Sequence, residues 1–165
     1  MLMKILIWGL GTLAVLAVLV LIAGRLGLLS GTPPSNPGVR DAKLKPPSRT
    51  ENSVSSQASL YPDHPMREVA QIAPLALRGD AVATLARLRS IVQAMPGATI
   101  VKSEPDYLYV QFTTRLLGFV DDGEFWFDPA AGAVQVRSAS RVGRKDFGVN
   151  RARIEAIRAR LSATT

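Results

Sequence analysis

The sequence predicts an α+β domain: an antiparallel four-stranded sheet with two helices packed on one face, preceded by one transmembrane helix. Three observations predict it. An uncharged apolar run opens the chain. Four runs of alternating polarity follow one another between about residues 98 and 140, separated by turn residues. Apolar stripes at helical spacing stand on either side of those runs.

Ile5 to Gly24 carries no charge and is rich in Leu, Val, Ile and Ala. At about 1.5 Å per residue such a run spans roughly 30 Å, the thickness of a bilayer core. Lys4 and Arg25 bracket it, and Trp8 lies near one end, where interfacial aromatics are common. A cleaved signal peptide would have a shorter apolar core and a small-x-small site, and Leu21-Ile22-Ala23 is a poor one. The expected anchor is residues 1–29. Lys4 and the terminal amine favour a cytoplasmic N-terminus and Arg25, Arg40, Lys43 and Lys45 oppose it. The reading adopted places the N-terminus inside and the soluble domain outside the cytoplasm, and the absence of cysteine suits an oxidising periplasm.

Residues 30–59 read as a basic Pro/Ser-rich linker. Pro33-Pro34, Pro37 and Pro46-Pro47 favour extended chain, so a solvated tether is expected. Its Arg40, Lys43, Lys45 and Arg49 could touch anionic lipid. The domain is expected over 60–165. Leu60 to Gly79 reads as a loop packed on it, with the single histidine, His64, in a solvated or structural role.

Asp80 reads as a helix N-cap and Pro96-Gly97 as the stop, with Val82, Leu85, Leu88, Ile91, Val92 and Met95 as the buried stripe. Strands are expected at about 98–103, 107–115, 120–128 and 133–140. If Asp128 pairs with Ala133, then Phe125 faces Val136, Trp126 meets Gln135 and Glu124 meets Arg137. A slip of one residue would set Phe125 against Gln135. A turn at Leu117-Gly118 would set Leu108, Val110 and Phe112 opposite Phe127, Phe125 and Gly123. The last helix is expected to start at an Asn150 N-cap, with Val149 and Ile154 as a hydrophobic staple and Ile154, Ile157 and Leu161 buried.

The opposite sheet face gathers Tyr109, Gln111, Thr113 and Arg115, then Asp122, Glu124 and Trp126, then Gln135, Arg137 and Arg141. Asp122 and Glu124 share that face about 7 Å apart, a spacing that could serve acid/base chemistry or a hard cation. Cross-strand ion pairing with Arg137, Arg141 and Arg115 is the stronger reading. Ser138 to Arg141, Gly143, Gly148 and the start of the last helix could cradle an anion, although the fixed spacing of a phosphate loop is missing. Arg151 or Arg153 could pair with Asp121. Nothing around Ser140, His64 and Asp121 forms a nucleophile elbow. The candidate ligand-binding set is therefore Arg115, Asp122, Glu124, Arg137, Ser140, Arg141, Asn150 and Arg151. No catalytic set, metal site or cofactor is assigned. With no cysteine in the chain, disulfides and thiolate chemistry are excluded. A net charge of +7 favours anionic partners, and with an apolar segment present the membrane surface ranks above nucleic acid.

Three stretches carry a family resemblance: Arg115-x-x-x-Phe119-Val120-Asp121-Asp122-x-Glu124-Phe125, Val136-Arg137-Ser138-Ala139-Ser140-Arg141-Val142-Gly143, and Asp146-x-Gly148-Val149-Asn150-Arg151-x-Arg153. Asn52-x-Val54-Ser55-Ser56 and Ile72-Ala73-Pro74-Leu75 look like a lead-in. The pattern resembles the domain of unknown function numbered 1499 (DUF1499), common in bacteria, over about Ser48 to Leu161. That family often has cysteine after the lead-in asparagine, where this chain has Ser53. The resemblance implies a domain and no activity. The expectation is a membrane-anchored, non-enzymatic binding or scaffolding module at the cell envelope, recognising a protein partner or an anionic lipid or envelope ligand. The alternative is an enzyme using Asp122 and Glu124.

Overall fold

The computed structural model describes residues 1–163. Helix α1 (Leu2–Arg25) is long and apolar enough to cross a membrane, with a mean hydropathy of 2.8 over its best window. Its end is not free. Gly24 is buried against the turn at Leu117-Gly118, and a Cβ there would stand 2.7 Å from the Leu117 carbonyl oxygen.

The sheet has six strands rather than four. Its order is β1 (Ser53–Ser55), β6 (Ala133–Ser140), β5 (Val120–Asp128), β4 (Tyr107–Thr113), β3 (Ala98–Ser103), with β2 (Leu75–Ala76) also on β6. All pairings are antiparallel. The β5–β6 register is the expected one, with Phe125 opposite Val136, Trp126 opposite Gln135 and Glu124 opposite Arg137. The β4–β5 register is not. Leu108 faces Phe125, Val110 faces Gly123 and Phe112 faces Asp121, a displacement of two residues. The cause is the connection. Instead of a two-residue turn at Leu117-Gly118, Thr114 to Phe119 form a six-residue loop closed by Thr114 N–H to Phe119 O at 2.8 Å and Gly118 N–H to Thr114 O at 3.0 Å, with Gly118 at φ 66°. A shift of two keeps every side chain on its face. The expected apolar face therefore survives intact.

Of the two additional strands, β2 lies in the apolar stretch 72–77, whereas β1 comes from sequence with little apolar signal. β1 is Ser-Val-Ser, held by backbone pairing to 137–139. Just beyond it, Ser56 Oγ donates to Gln135 Oε1 at 2.7 Å and accepts the Val136 N–H at 2.8 Å. Leu44 and Asn52 to Ala58 are buried, which differs from a solvated tether over that stretch.

Short helix α2 (Arg67–Ala70) follows a single 3-10 turn at Ala58–Leu60. Helix α3 (Ala81–Gln93) has the expected cap, Asp80 Oδ1 accepting the Ala83 N–H at 2.7 Å. Val82 does not join its buried stripe and points to solvent, while Thr84 turns inward and bonds the Arg78 and Asp80 backbone. Helix α4 is Val149–Ala163. Leu85, Leu88 and Val92 of α3, Ile154, Ile157 and Leu161 of α4, and Leu108, Val110, Phe112, Phe125, Val134 and Val136 of the sheet belong to one buried cluster. On the other sheet face, residues 31–47 lie as a strap. Leu44 and Val39 pack there with Tyr107, Tyr109 and Trp126.

Candidate functional site

The polar sheet face is buried beneath that strap, and its charges are satisfied from within. Glu124, 1 % exposed, accepts the Tyr107 hydroxyl and the Gly38 N–H, both at 2.7 Å. Arg137 lies 3.8 Å from it and donates through Nε to the Pro46 carbonyl at 3.1 Å. Burial lowers the Arg137 pKa against the pull of Glu124, but a guanidinium keeps its proton. Asp122 takes a two-pronged bond from Arg141, Nε at 2.8 Å and Nη2 at 2.7 Å, and accepts the Tyr109 hydroxyl. The bond to Asp122 raises the Arg141 pKa. Burial, and then the carboxylate partner, raises the pKa of both tyrosines above the ordinary phenol value, Tyr107 by a wide margin. Both carboxylates are held by donors that the fold itself supplies.

Arg115 is placed elsewhere. The longer loop carries it off the strand, exposed, with no bond to Asp122. Asp121 points to the helix face, opposite to Asp122, and pairs with Arg153 rather than Arg151 at 2.5 Å. The Arg153 guanidinium also covers the Phe112 ring at 4.5 Å. Arg151 donates to the Val69 and Gln71 carbonyls at 2.8 and 2.9 Å.

Asn150 is not the cap of α4. Asp146 takes that task, accepting the Gly148 and Asn150 N–H groups at 3.0 Å each. Burial works to raise the Asp146 pKa, and these bonds outweigh it and lower it. Released from capping, Asn150 turns into the core. Its Nδ2 reaches Ser140 Oγ at 2.9 Å and the Asn52 carbonyl at 3.2 Å. Its Oδ1 accepts Ser138 Oγ at 2.6 Å and Arg153 Nη1 at 2.8 Å. Val149, inside the helix and exposed, forms no staple. Asn52 completes the junction with Nδ2 bonds to the Ser140 and Gly143 carbonyls at 3.2 and 2.7 Å. Ser140 is thereby tied to Asn150, while His64 Nδ1 accepts the Met66 N–H. Asn150, Ser140 and Arg151 thus join elements of the fold together.

Three open cations lie together on the strap, where composition alone suggested a tether. Arg40 and Lys43 pair through both backbone bonds, each 2.9 Å, around Asp41 and Ala42 at φ 50° and 55°. Two left-handed residues make the tight hairpin turn that usually calls for Asn or Gly. Gln57 holds it, Nε2 donating to the Ala42 carbonyl at 3.0 Å and Oε1 accepting the Leu44 N–H at 2.8 Å. The Tyr61 hydroxyl donates to the Leu44 carbonyl, and Lys43 stands 5.9 Å from the Tyr61 ring. Leu44 and Tyr61 line a cavity of about 360 Å³ with Arg40, Asp41, Lys43 and Lys45. None of these three cations pairs with a carboxylate among the described residues. Burial lowers the Lys45 pKa, and Glu124 beneath it works in the opposite direction. Gln57 and Tyr61 had no sequence signal as site residues, and Asn52 had one only through the lead-in motif.

A scan of family models matches residues 43–161 to one described as Protein of unknown function (DUF1499). No curated protein and no solved structure matches the chain. That stretch takes in the lead-in, the buried polar face and the α4 junction, and with it the chain belongs to the DUF1499 family.

Proposed function

We propose that the chain is a single-pass, membrane-anchored, non-enzymatic binding module of the cell envelope that recognises an anionic ligand at the strap. Its domain lies in the periplasm. The observation that carries this is the cavity lined by Arg40, Lys43 and Lys45, three cations that outnumber its one carboxylate, Asp41, and form no ion pair with it, on a hairpin held by Gln57. Concentrated positive charge at a concave, partly desolvated surface attracts anions. Phosphate-bearing or carboxylate-bearing envelope components suit it.

The non-enzymatic reading rests on Asp122 and Glu124. Each accepts from donors that the fold itself supplies, Tyr107 and Gly38 for Glu124, Tyr109 and Arg141 for Asp122. The ligand site proposed here differs from the arginines of the sheet face and of the α4 start because Arg137, Arg141 and Arg151 are spent on internal acceptors. The test is calorimetric titration of the full chain in nanodiscs with inorganic pyrophosphate. Binding should weaken at least about tenfold in Arg40→Gln/Lys43→Gln/Lys45→Gln, equivalent to about 1.4 kcal/mol. Equal affinity in the wild type and the triple variant would refute the site.

A further inference from the structure

The chain between α1 and the strap gathers unpartnered apolar side chains at one end of the domain. Gly24 rests on Leu117, and a Cβ at Gly31 would stand 2.7 Å from Val142 Cγ2. Leu26 and Leu28 lie between these two contacts, 71 % and 73 % exposed. Leu116, at the tip of the β4–β5 loop, is 63 % exposed. Val142 and Phe147 line one concavity of about 320 Å³ with Thr114 and Phe119 of the same loop. Phe147 is 86 % exposed and has φ 53°, a left-handed conformation costly for a bulky residue. A strained, outward-facing phenylalanine gains nothing from the fold that holds it.

We infer that this end of the domain is a lipid-docking face, seated in the interface of the bilayer that holds α1. Three arguments select lipid as the occupant. First, α1 ends against the β4–β5 loop, so no free tether separates the membrane from Leu116. Second, the apolar side chains continue directly from the helix through Leu26 and Leu28 to Leu116, Val142 and Phe147. Third, Arg25, Arg115 and Arg144 stand in the same segments, without carboxylate partners among the described residues, where anionic headgroups would meet them. Apolar side chains at a basic rim are how interfacial segments seat themselves. The inference does not depend on the anion site of the strap.

The absence of native cysteine makes the test direct. Spin labels are placed singly at Leu116→Cys, Phe147→Cys, Val82→Cys and Leu13→Cys in the full chain, in nanodiscs of mixed phosphatidylcholine and phosphatidylglycerol. Collisional relaxation by oxygen and by a water-soluble nickel chelate then reports depth. Labels at 116 and 147 should lie about 5–10 Å into the headgroup and acyl boundary, with nickel accessibility reduced at least about threefold relative to Val82→Cys. The 13 label should be inside the bilayer. Labels at 116 and 147 as open to nickel as the one at 82 would overturn the inference, as would a 13 label in water. All four positions are exposed on the protein, so the labels leave the core unaltered.

Discussion

Glu124→Gln removes one negative charge and keeps the shape of the side chain. The amide oxygen can still accept from the Tyr107 hydroxyl and the Gly38 N–H. What is lost is the counter-charge of Arg137, whose side chain is 11 % exposed. Two unit charges 3.8 Å apart attract by about 4 kcal/mol at an effective dielectric near 20. Breaking one partner of such a pair costs about 3–5 kcal/mol, because the other charge is stranded. Glu124→Gln should therefore destabilise by about 3–4 kcal/mol, and Arg137→Met by about 2–3 kcal/mol, since Glu124 keeps two neutral donors. The double variant strands no charge. It should be at least about 2 kcal/mol more stable than the sum of the single effects implies. Chemical unfolding of the full chain in detergent, followed by near-ultraviolet dichroism of the buried Tyr107, Tyr109 and Trp126, measures all four corners of the cycle. Strict additivity would show that the two charges do not act as a buried pair and would refute the reasoning.

Gly97→Ala should cost more than about 2 kcal/mol, because Gly97 has φ 71° and a Cβ would stand 2.1 Å from the Thr113 carbonyl oxygen; thermal unfolding reads it. Asp146→Asn should lose about 0.3–1 kcal/mol at neutral pH, because the amide can still cap α4 but lacks the charge that favours a helix N-terminus. Because the folded carboxyl is lowered from its ordinary 3.8, its contribution is fully present above the unfolded value and is lost as pH falls through the folded one. The difference between wild type and variant should hold from about pH 7 to 5 and shrink below about pH 4, as unfolding curves across pH will show. A C-terminal reporter active only outside the cytoplasm should be active on this chain, and activity of the matching cytoplasmic reporter instead would reverse the topology.

Legibility followed the physics of each segment. Where burial is apolar and periodic, the sequence was enough. The β5–β6 register and the apolar sheet face could be read because Phe125 and Val136 have no good alternative partners. The β4–β5 register was missed by two residues because Leu117-Gly118 looks like a complete turn, whereas Gly118 closes a longer loop onto Thr114. The strap and β1 escaped notice for a different reason. Ser53, Ser55, Ser56 and Gln57 are buried by hydrogen bonds, which leave no trace in a hydropathy pattern. The charged face was recognised as paired, but not that a cover of proline-rich chain shields it. Asn150 showed its importance at the helix start and hid its role, since Asn caps and Asn knots look alike in sequence. The open cations at Arg40, Lys43 and Lys45 become recognisable as a site only once Gln57, distant in sequence, fixes the hairpin beneath them.

The strap also sets the order in which the molecule can be completed. Its partners come late in the chain: Gly38 meets Glu124 across a separation of 86 residues, and Pro46 meets Arg137 across 91. During synthesis α1 emerges first, while the segment that seals the polar face must wait until β5 and β6 exist. Such long loop closures slow folding. Without the strap, Tyr107, Glu124 and Arg137 would lose the cover that keeps them from water. The strap can therefore contribute to stability only once β5 and β6 stand, which ties the sealing of the polar face to the completion of the sheet.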